Sequence, residues 1–165
     1  SPSFSNPLLF NDIFWDNRAG TRGFGTVTGL GIPGDLTPIN YWDLGVADGT
    51  GTLAPTSSII QAGDGAGGGD PMVVSMYDTE VTFATWRTNP NFVGAILVTA
   101  TTPPTLLGNY HLSGTGSPAY NTGAASKAVP GYQQPPSSLL APAFDFDNQS
   151  RPFGGGFDIG ADELH

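Results

Sequence analysis

The 165-residue chain contains no cysteine, a single lysine and only two glutamates. The absence of cysteine excludes disulfide bonds, thiolate catalysis and cysteine-ligated zinc. Helical proteins usually fill their surfaces with lysine, glutamate, arginine and glutamine, because these side chains cost little in a helix. Threonine, serine, asparagine, aspartate and glycine take that place here. The composition therefore argues against an all-α or an α/β protein.

Positive charge is also scarce. Five lysines and arginines stand against 14 aspartates and glutamates, which gives a formal net charge of −9 at pH 7. Nucleic acid and anionic membrane surfaces are poor partners for such a chain, because both require clustered cations. The longest apolar run, residues 93–100, is interrupted by Gly94, whereas a membrane helix needs about 20 apolar residues. We therefore predict no nucleic-acid partner and no membrane insertion.

The first residue and the methionine positions bear on processing. The chain opens at Ser1, and its only methionines are Met72 and Met76. We therefore expect a processed or truncated product whose upstream signal peptide is missing. Acidic, lysine-poor chains rich in threonine and asparagine are common among secreted bacterial proteins, but this composition alone does not settle the compartment.

Glycine and proline are abundant, with 24 and 15 residues, yet 38% of the chain is hydrophobic and 11% is aromatic. This combination predicts a folded, β-rich chain with many turns rather than disorder. Runs of β-branched and aromatic side chains predict strands within residues 8–15, 39–44, 72–77, 80–86 and 92–100, and a short strand near residue 110. One or two helical turns are predicted at 122–128, and extended surface loop at 129–142. We interpret residues 1–165 as one all-β domain.

Five motifs follow one another between residues 8 and 163. They are Asn-Asp-Ile-Phe-Trp-Asp-Asn at 11–17, Ile-Asn-Tyr-Trp-Asp-Leu at 39–44, Asn-Pro-Asn-Phe-Val at 89–93, Asn-Tyr-His-Leu at 109–112 with Gly-Ser-Pro-Ala-Tyr-Asn-Thr-Gly at 116–123, and a tail pattern. The tail pattern combines Asp145, Asp147 and Arg151-Pro152 with Asp-Ile-Gly-Ala-Asp-Glu at 158–163. In this order the motifs resemble the C-terminal region of right-handed parallel β-helix proteins of bacterial cell surfaces, of the choice-of-anchor Q type.

The resemblance implies the terminal rungs of a right-handed parallel β-helix, with rungs and loops over residues 1–128 and a proline-rich loop and capping tail over 129–165. A rung cannot bury its apolar face alone, so stability depends on stacking. The implied function is non-catalytic: a structural and capping part of a secreted or surface-attached bacterial protein, with a role in adhesion, extracellular matrix or fibres. The implied location is extracellular or the bacterial cell surface. The alternative is the C-terminal part of a carbohydrate-active β-helix enzyme, a polysaccharide lyase or glycosidase, whose catalytic residues lie upstream.

No residue of this chain is predicted to be catalytic. The adjacent Asp-Asp, Gly-His-Gly and Arg-x-Lys motifs of β-helix polygalacturonases are absent. Lyases need a cationic base, and the only lysine, Lys127, lies among small residues. His111 and His165 are far apart in the sequence. We expect a structural role for His111, the alternative being a metal or haem ligand, and fraying for His165.

The tail is the weak candidate for a metal site. Asp145 and Asp147 alternate along a predicted strand, and Asp158 follows in the closing motif; oxygen side chains of this kind suit Ca²⁺. The alternative is that these carboxylates cap turns and pair with Arg151. We expect Arg151 to pair with one acid of the tail, most readily Asp158 or Asp145, out of the set Asp145, Asp147, Asp158, Asp162 and Glu163. No other cofactor is predicted. Structural roles are expected for Arg151, Asp158, Gly160, Pro118 and Asn17.

Contacts with other molecules are predicted at two places. Trp42, Trp86 and Tyr41 are candidates for stacking on sugar rings, the alternative being burial, since tryptophan is mostly buried in proteins. Residues 1–45 are expected to present an open strand edge, which recruits further strands. Their predicted partner is the upstream β-helix part of the same protein, another extracellular chain, or a second copy of this chain in a fibre. The net charge of −9 opposes self-association and favours a different, complementary chain.

Overall fold

The computed structural model describes residues 4–23, 27–31, 34–76, 108–131 and 137–165. Within these ranges the regular structure consists of strands, without a helix. The strands are β1 (Ile13–Phe14), β2 (Thr21–Arg22), β3 (Val27–Thr28), β4 (Ile59–Ile60), β5 (Val73–Ser75), β6 (Asn109–Leu112), β7 (Ser126–Ala128) and β8 (Ser138–Leu140). They form the two-stranded sheets β1–β4, β2–β3, β5–β6 and β7–β8, and these sheets do not join into a larger closed one. The predicted all-β class is confirmed for the described part of the chain.

Strands β1 and β4 pair in parallel. Ile13 lies opposite Ile59 and Phe14 opposite Ile60, and a parallel bridge between Phe10 and Thr56 continues the same register. Each residue thus faces the one 46 positions later in the chain. Parallel strands need a long crossover connection, and the turn-rich stretch between β1 and β4 supplies it. Both pairs are apolar, so apolar side chains lie next to each other on both faces of this two-stranded sheet.

The other three sheets are antiparallel. In β5–β6, Val73 lies opposite Leu112, with a register irregularity before Ser75. In β7–β8, Lys127 lies opposite Leu139. The two strands of the latter pair correct the sequence-based expectations of helical turns at 122–128 and of loop throughout 129–142. A short segment is marginal as a helix, and its backbone groups are satisfied by the distant partner strand instead. The predicted strands at 80–86 and 92–100 lie outside the described residues.

The core is small and draws on distant parts of the chain. Its buried members are Ile59, Leu112, Ala119 and Ile159, and the partly buried side chains packed against it are Ile13, Trp15 and Leu164. Because these residues come from the two parallel strands, from β6, from the turn after it and from the C-terminal tail, each segment buries its apolar side chains only against the others.

The C-terminal tail closes this arrangement. The backbone N–H of Ile159 donates to the carbonyl of Ala119 at 2.9 Å, and the N–H of Gly160 donates to the carbonyl of Asn11 at 2.9 Å. Gly160 has a φ of +107°, and a Cβ there would lie 2.8 Å from Cδ1 of Ile13. Both conditions favour glycine, so the tail approaches β1 closely only because this position has no side chain.

Candidate functional site

The closing tail is organised around the buried side chain of Arg151. Its Nε lies 2.9 Å from Oε2 of Glu163, and the two side chains are 2% and 0% exposed. Its two terminal nitrogens donate to the carbonyls of Gly160 at 3.0 Å and Asp158 at 2.6 Å. The predicted ion pair of Arg151 with an acid of the tail is confirmed, but the favoured partners, Asp158 and Asp145, were wrong. The pair is formed with Glu163, and Asp158 contributes its backbone. One guanidinium thus holds three points of the final segment.

The buried carboxylates of the tail are occupied by backbone donors. Oδ1 of Asp158 accepts from the N–H of Asn121 at 2.6 Å and Oδ2 from the N–H of Leu164 at 2.8 Å. Oε1 of Glu163 accepts from the N–H of Phe153 at 2.7 Å. Burial raises the pKa of Asp158 above the ordinary aspartate value, and the backbone hydrogen bonds oppose that shift. Asp158 therefore ties the tail to the turn at residues 117–121, and Glu163 joins two parts of the tail itself.

A second polar group lies where the tail meets strand β6. Nε2 of His111 is 2.5 Å from Oδ2 of Asp147, and the two side chains are 41% and 44% exposed. With the buried Asp162 they form a group whose potential ligand atoms all lie within 4.8 Å of one another. The hydrogen bond with the Asp147 carboxylate raises the pKa of His111 above its ordinary value, because it favours the charged imidazolium. Of the three calcium candidates, only Asp147 belongs to this group.

Sequence reasoning did not find this group. Asp147 lies 36 residues after His111, and Asp162 lies 50 residues after Leu112, whose N–H it accepts at 2.7 Å. Such separations match no metal-binding spacing. The one signal in the sequence that could have indicated a polar site is the pair of polar side chains Asn109 and His111, two positions apart in a motif of mainly apolar and turn-forming residues.

An open cavity of about 710 Å³ lies beside the group. Three acids, Asp12, Asp145 and Asp162, share its wall with aromatic side chains that include Trp15 and Phe146. Oδ2 of Asp12 and Oδ2 of Asp145 are buried and have no hydrogen-bond partner among the described residues. Burial raises the pKa of Asp12. The lining of the cavity is therefore mostly apolar. Two of its carboxyl groups, those of Asp12 and Asp145, each have one buried oxygen without a hydrogen-bond partner among the described residues.

The other predicted structural residues lie apart from this cavity. Nδ2 of Asn17 donates to Oδ1 of Asp43 at 2.7 Å, and the carbonyl of Pro118 accepts from the Thr122 hydroxyl at 2.7 Å. The terminal His165 stacks on Phe153, with ring centroids 4.3 Å apart. These contacts hold turns and the chain end.

The candidates for sugar stacking are not brought into one surface by the described residues. Trp42 is 57% exposed and packs over Gly45, where a Cβ would lie 2.9 Å from the indole ring. Tyr41 is partly buried and forms an isolated bridge with Arg18. Trp86 lies outside the described residues. Sugar stacking at these positions stays a prediction.

Lys127 has a position that its sequence context did not suggest. Its Nζ donates to the carbonyls of Leu9 at 2.8 Å and Ala54 at 3.0 Å. Burial lowers the pKa of Lys127, and the nearby Asp12 opposes that shift. The only lysine of the chain thus bridges the two backbone segments that lead into β1 and β4.

Comparisons with protein-family models, with curated proteins and with solved structures found no match for this chain. Over the part of the chain that the structure describes, there is no helix of the length and apolar character needed to span a membrane.

Proposed function

We propose that this chain is a non-catalytic structural module: the terminal coils of a right-handed parallel β-helix and their capping tail, in a secreted or surface-attached bacterial protein. The expected role is in adhesion, extracellular matrix or fibres. The observation that carries the proposal is the parallel stacking of β1 on β4 with the tail folded back against β1. Stacked segments sealed by a C-terminal cap are how solenoid proteins bury their cores.

Asn11 supports the stacked arrangement, because it connects β1 to segments on either side. It has a φ of 58° and is buried. Its N–H donates to the carbonyl of Ser57 at 3.0 Å, and its carbonyl accepts from Gly160. Its side-chain amide exchanges two hydrogen bonds with the backbone of Ala124, at 2.8 and 2.7 Å. An asparagine with positive φ at a corner is the residue type that such turns favour.

The use of the ionisable side chains supports a non-catalytic role. Catalytic acids and bases have to reach a substrate, whereas Lys127, Asp158 and the Arg151–Glu163 pair are directed at backbone groups or at each other. In this arrangement the charges hold segments together.

The absence of catalysis is directly testable on the chain itself. We expect no increase in reducing ends and no unsaturated uronate when the protein is incubated with neutral and acidic polysaccharides. Turnover that is lost in Asp12→Asn and Asp162→Asn, the two acids at the cavity wall, would contradict the proposal. Asp70→Asn is the matched control, because Asp70 is exposed and lies outside the cavity lining.

The predicted contact through residues 1–45 is a second test of the module's role. Leu36 and Trp42 are largely exposed within this stretch, and exposed apolar side chains mark interaction surfaces when they cluster. Self-association is opposed by the net charge of −9, and salt of about 1 M shortens the Debye length to about 3 Å. We expect the mass measured by light scattering to rise above 17.0 kDa with protein and salt concentration.

The matched variants are Leu8→Lys, inside the predicted edge, and Leu140→Lys, on an exposed position outside it. The first should restore the monomer at every salt concentration and the second should not. A monomer of the unmodified protein at all concentrations and salts, with no partner chain in native preparations, would mean that residues 1–45 cover their own edge.

A further inference from the structure

We propose that His111, Asp147 and Asp162 bind a divalent first-row transition-metal ion, of which Zn²⁺ fits this ligand set best. The ion joins strand β6 to the closing tail. This inference goes beyond the proposed structural role and does not depend on it.

The geometry brings one nitrogen and two carboxylates to a single point. A ring nitrogen of His111 and one carboxylate oxygen each of Asp147 and Asp162 lie within 4.8 Å of one another, and Nε2 is the nitrogen that faces Asp147. Zinc binds imidazole nitrogen at about 2.0–2.1 Å and carboxylate oxygen at about 2.0–2.2 Å. An ion can therefore reach all three ligands once the contact of Nε2 with Asp147 opens to admit it. Both of these side chains are more than a third exposed, which provides access from solvent.

His111 is oriented as a metal ligand is. Its Nδ1 contacts Oδ1 of Asn109, and the same oxygen accepts the backbone N–H of His111 at 3.2 Å. Because that oxygen is an acceptor, Nδ1 carries a hydrogen, and Nε2 donates its own hydrogen to Asp147. When the ion binds, Nε2 releases that proton to solvent and the ion takes its place. A ligating histidine typically donates its second N–H to an oxygen in this way, which fixes its tautomer and its ring plane.

Asp162 is held equally firmly. It is 5% exposed, and its Oδ2 accepts the N–H of Leu112 at 2.7 Å. Leu112 directly follows His111 in β6, so the strand that presents the imidazole also orients this carboxylate. Two of the three ligands are thus preorganised before any ion binds.

Asp145 provides an independent indication that a cation belongs here. Its side chain is buried, with the residue 9% exposed. Its Oδ1 accepts the N–H groups of Asp147 and Gln149, but its Oδ2 has no partner among the described residues. Asp145 shares the cavity wall with Asp162. A buried carboxylate without full compensation is costly, and a divalent ion between His111 and the neighbouring aspartates would offset that charge.

The donor set selects the class of ion. Calcium and magnesium prefer all-oxygen coordination, with six to eight ligands for calcium, whereas imidazole with carboxylates suits zinc and its first-row neighbours. The ligand set therefore differs from the calcium site predicted from Asp145, Asp147 and Asp158.

The test is calorimetric titration of the chelator-stripped full chain with ZnCl₂ at pH 7. We expect one saturable site, and a loss of affinity of more than about 100-fold in His111→Ala, since even residues that only orient metal ligands contribute about 10–100-fold. X-ray absorption at the zinc edge should show one imidazole nitrogen together with oxygen ligands. Millimolar Ca²⁺ should not displace the zinc.

His165→Ala is the matched control, because it removes the other histidine and leaves the group intact. Asp147→Asn changes an exposed ligand with almost no change of shape, so it reports on binding even if His111→Ala is misfolded by circular dichroism. The proposal is overturned if no saturable binding is found, if both His111→Ala and Asp147→Asn bind with the original affinity, or if His165→Ala weakens binding as much as His111→Ala does. Equal competition by Ca²⁺ would overturn the assigned class of ion.

Discussion

Replacing Arg151 by alanine is expected to lower the free energy of unfolding by about 3–5 kcal/mol. The substitution leaves the carboxylate of Glu163 buried without its cation, and it frees the carbonyls of Gly160 and Asp158 from their donors. For a chain of this size, each kcal/mol of lost stability lowers the melting temperature by about 2–4 °C. Urea unfolding and thermal melting, both followed by circular dichroism, measure the effect.

Arg22→Ala is the matched control, because Arg22 is exposed in strand β2 and exposed substitutions usually change stability by less than about 0.5 kcal/mol. Arg151→Lys should remain clearly destabilised, since one ammonium cannot reproduce the forked donor set of a guanidinium. Replacing both Arg151 and Glu163 by methionine should cost less than Arg151→Ala, because no charge is left unpaired. An Arg151→Ala protein that melts at the original temperature would show that the pair does not hold the tail.

Truncation of Ile59 to alanine is expected to cost about 2–5 kcal/mol. Ile59 is fully buried, pairs with Ile13 across β1–β4 and belongs to the core cluster. The cost combines the lost transfer of apolar atoms from water with the cavity left behind. Because the core is small, its loss is a large share of a typical total stability of about 5–15 kcal/mol. The midpoint of urea unfolding is the measurement.

Ile59→Val removes less of the side chain and should lower the free energy of unfolding by only about 0.5–1.5 kcal/mol. Leu140→Ala is the exposed control, since this leucine is 77% exposed in strand β8, and it should change stability by less than about 0.5 kcal/mol. A cost for Ile59→Ala no larger than that for Leu140→Ala would mean that the β1–β4 stack is not the centre of the core.

The candidate site shows where sequence reasoning reaches its limit. Arg151 and the closing motif at 158–163 were singled out from sequence as structural, and the structure places them in contact. The sequence could not show that Arg151 pairs with Glu163 rather than with Asp158, because both acids lie close to Arg151 in the chain. In the fold, the carboxylate of Asp158 accepts backbone N–H groups of Asn121 and Leu164. The guanidinium instead meets the carbonyl of Asp158 and the carboxylate of Glu163.

The sequence by itself determined the strand-rich class. Residues that favour helices are scarce, whereas glycine, proline and β-branched side chains are abundant, and each of these acts through the preference of its own backbone position. Only the tertiary structure decided the register that sets Ile13 against Ile59, the strand at Ser126–Ala128 and the meeting of His111 with Asp147 and Asp162. These depend on residues tens of positions apart. The local preferences of a segment carry no information about which distant backbone groups will form hydrogen bonds with it. The packing of the whole chain decides those partners.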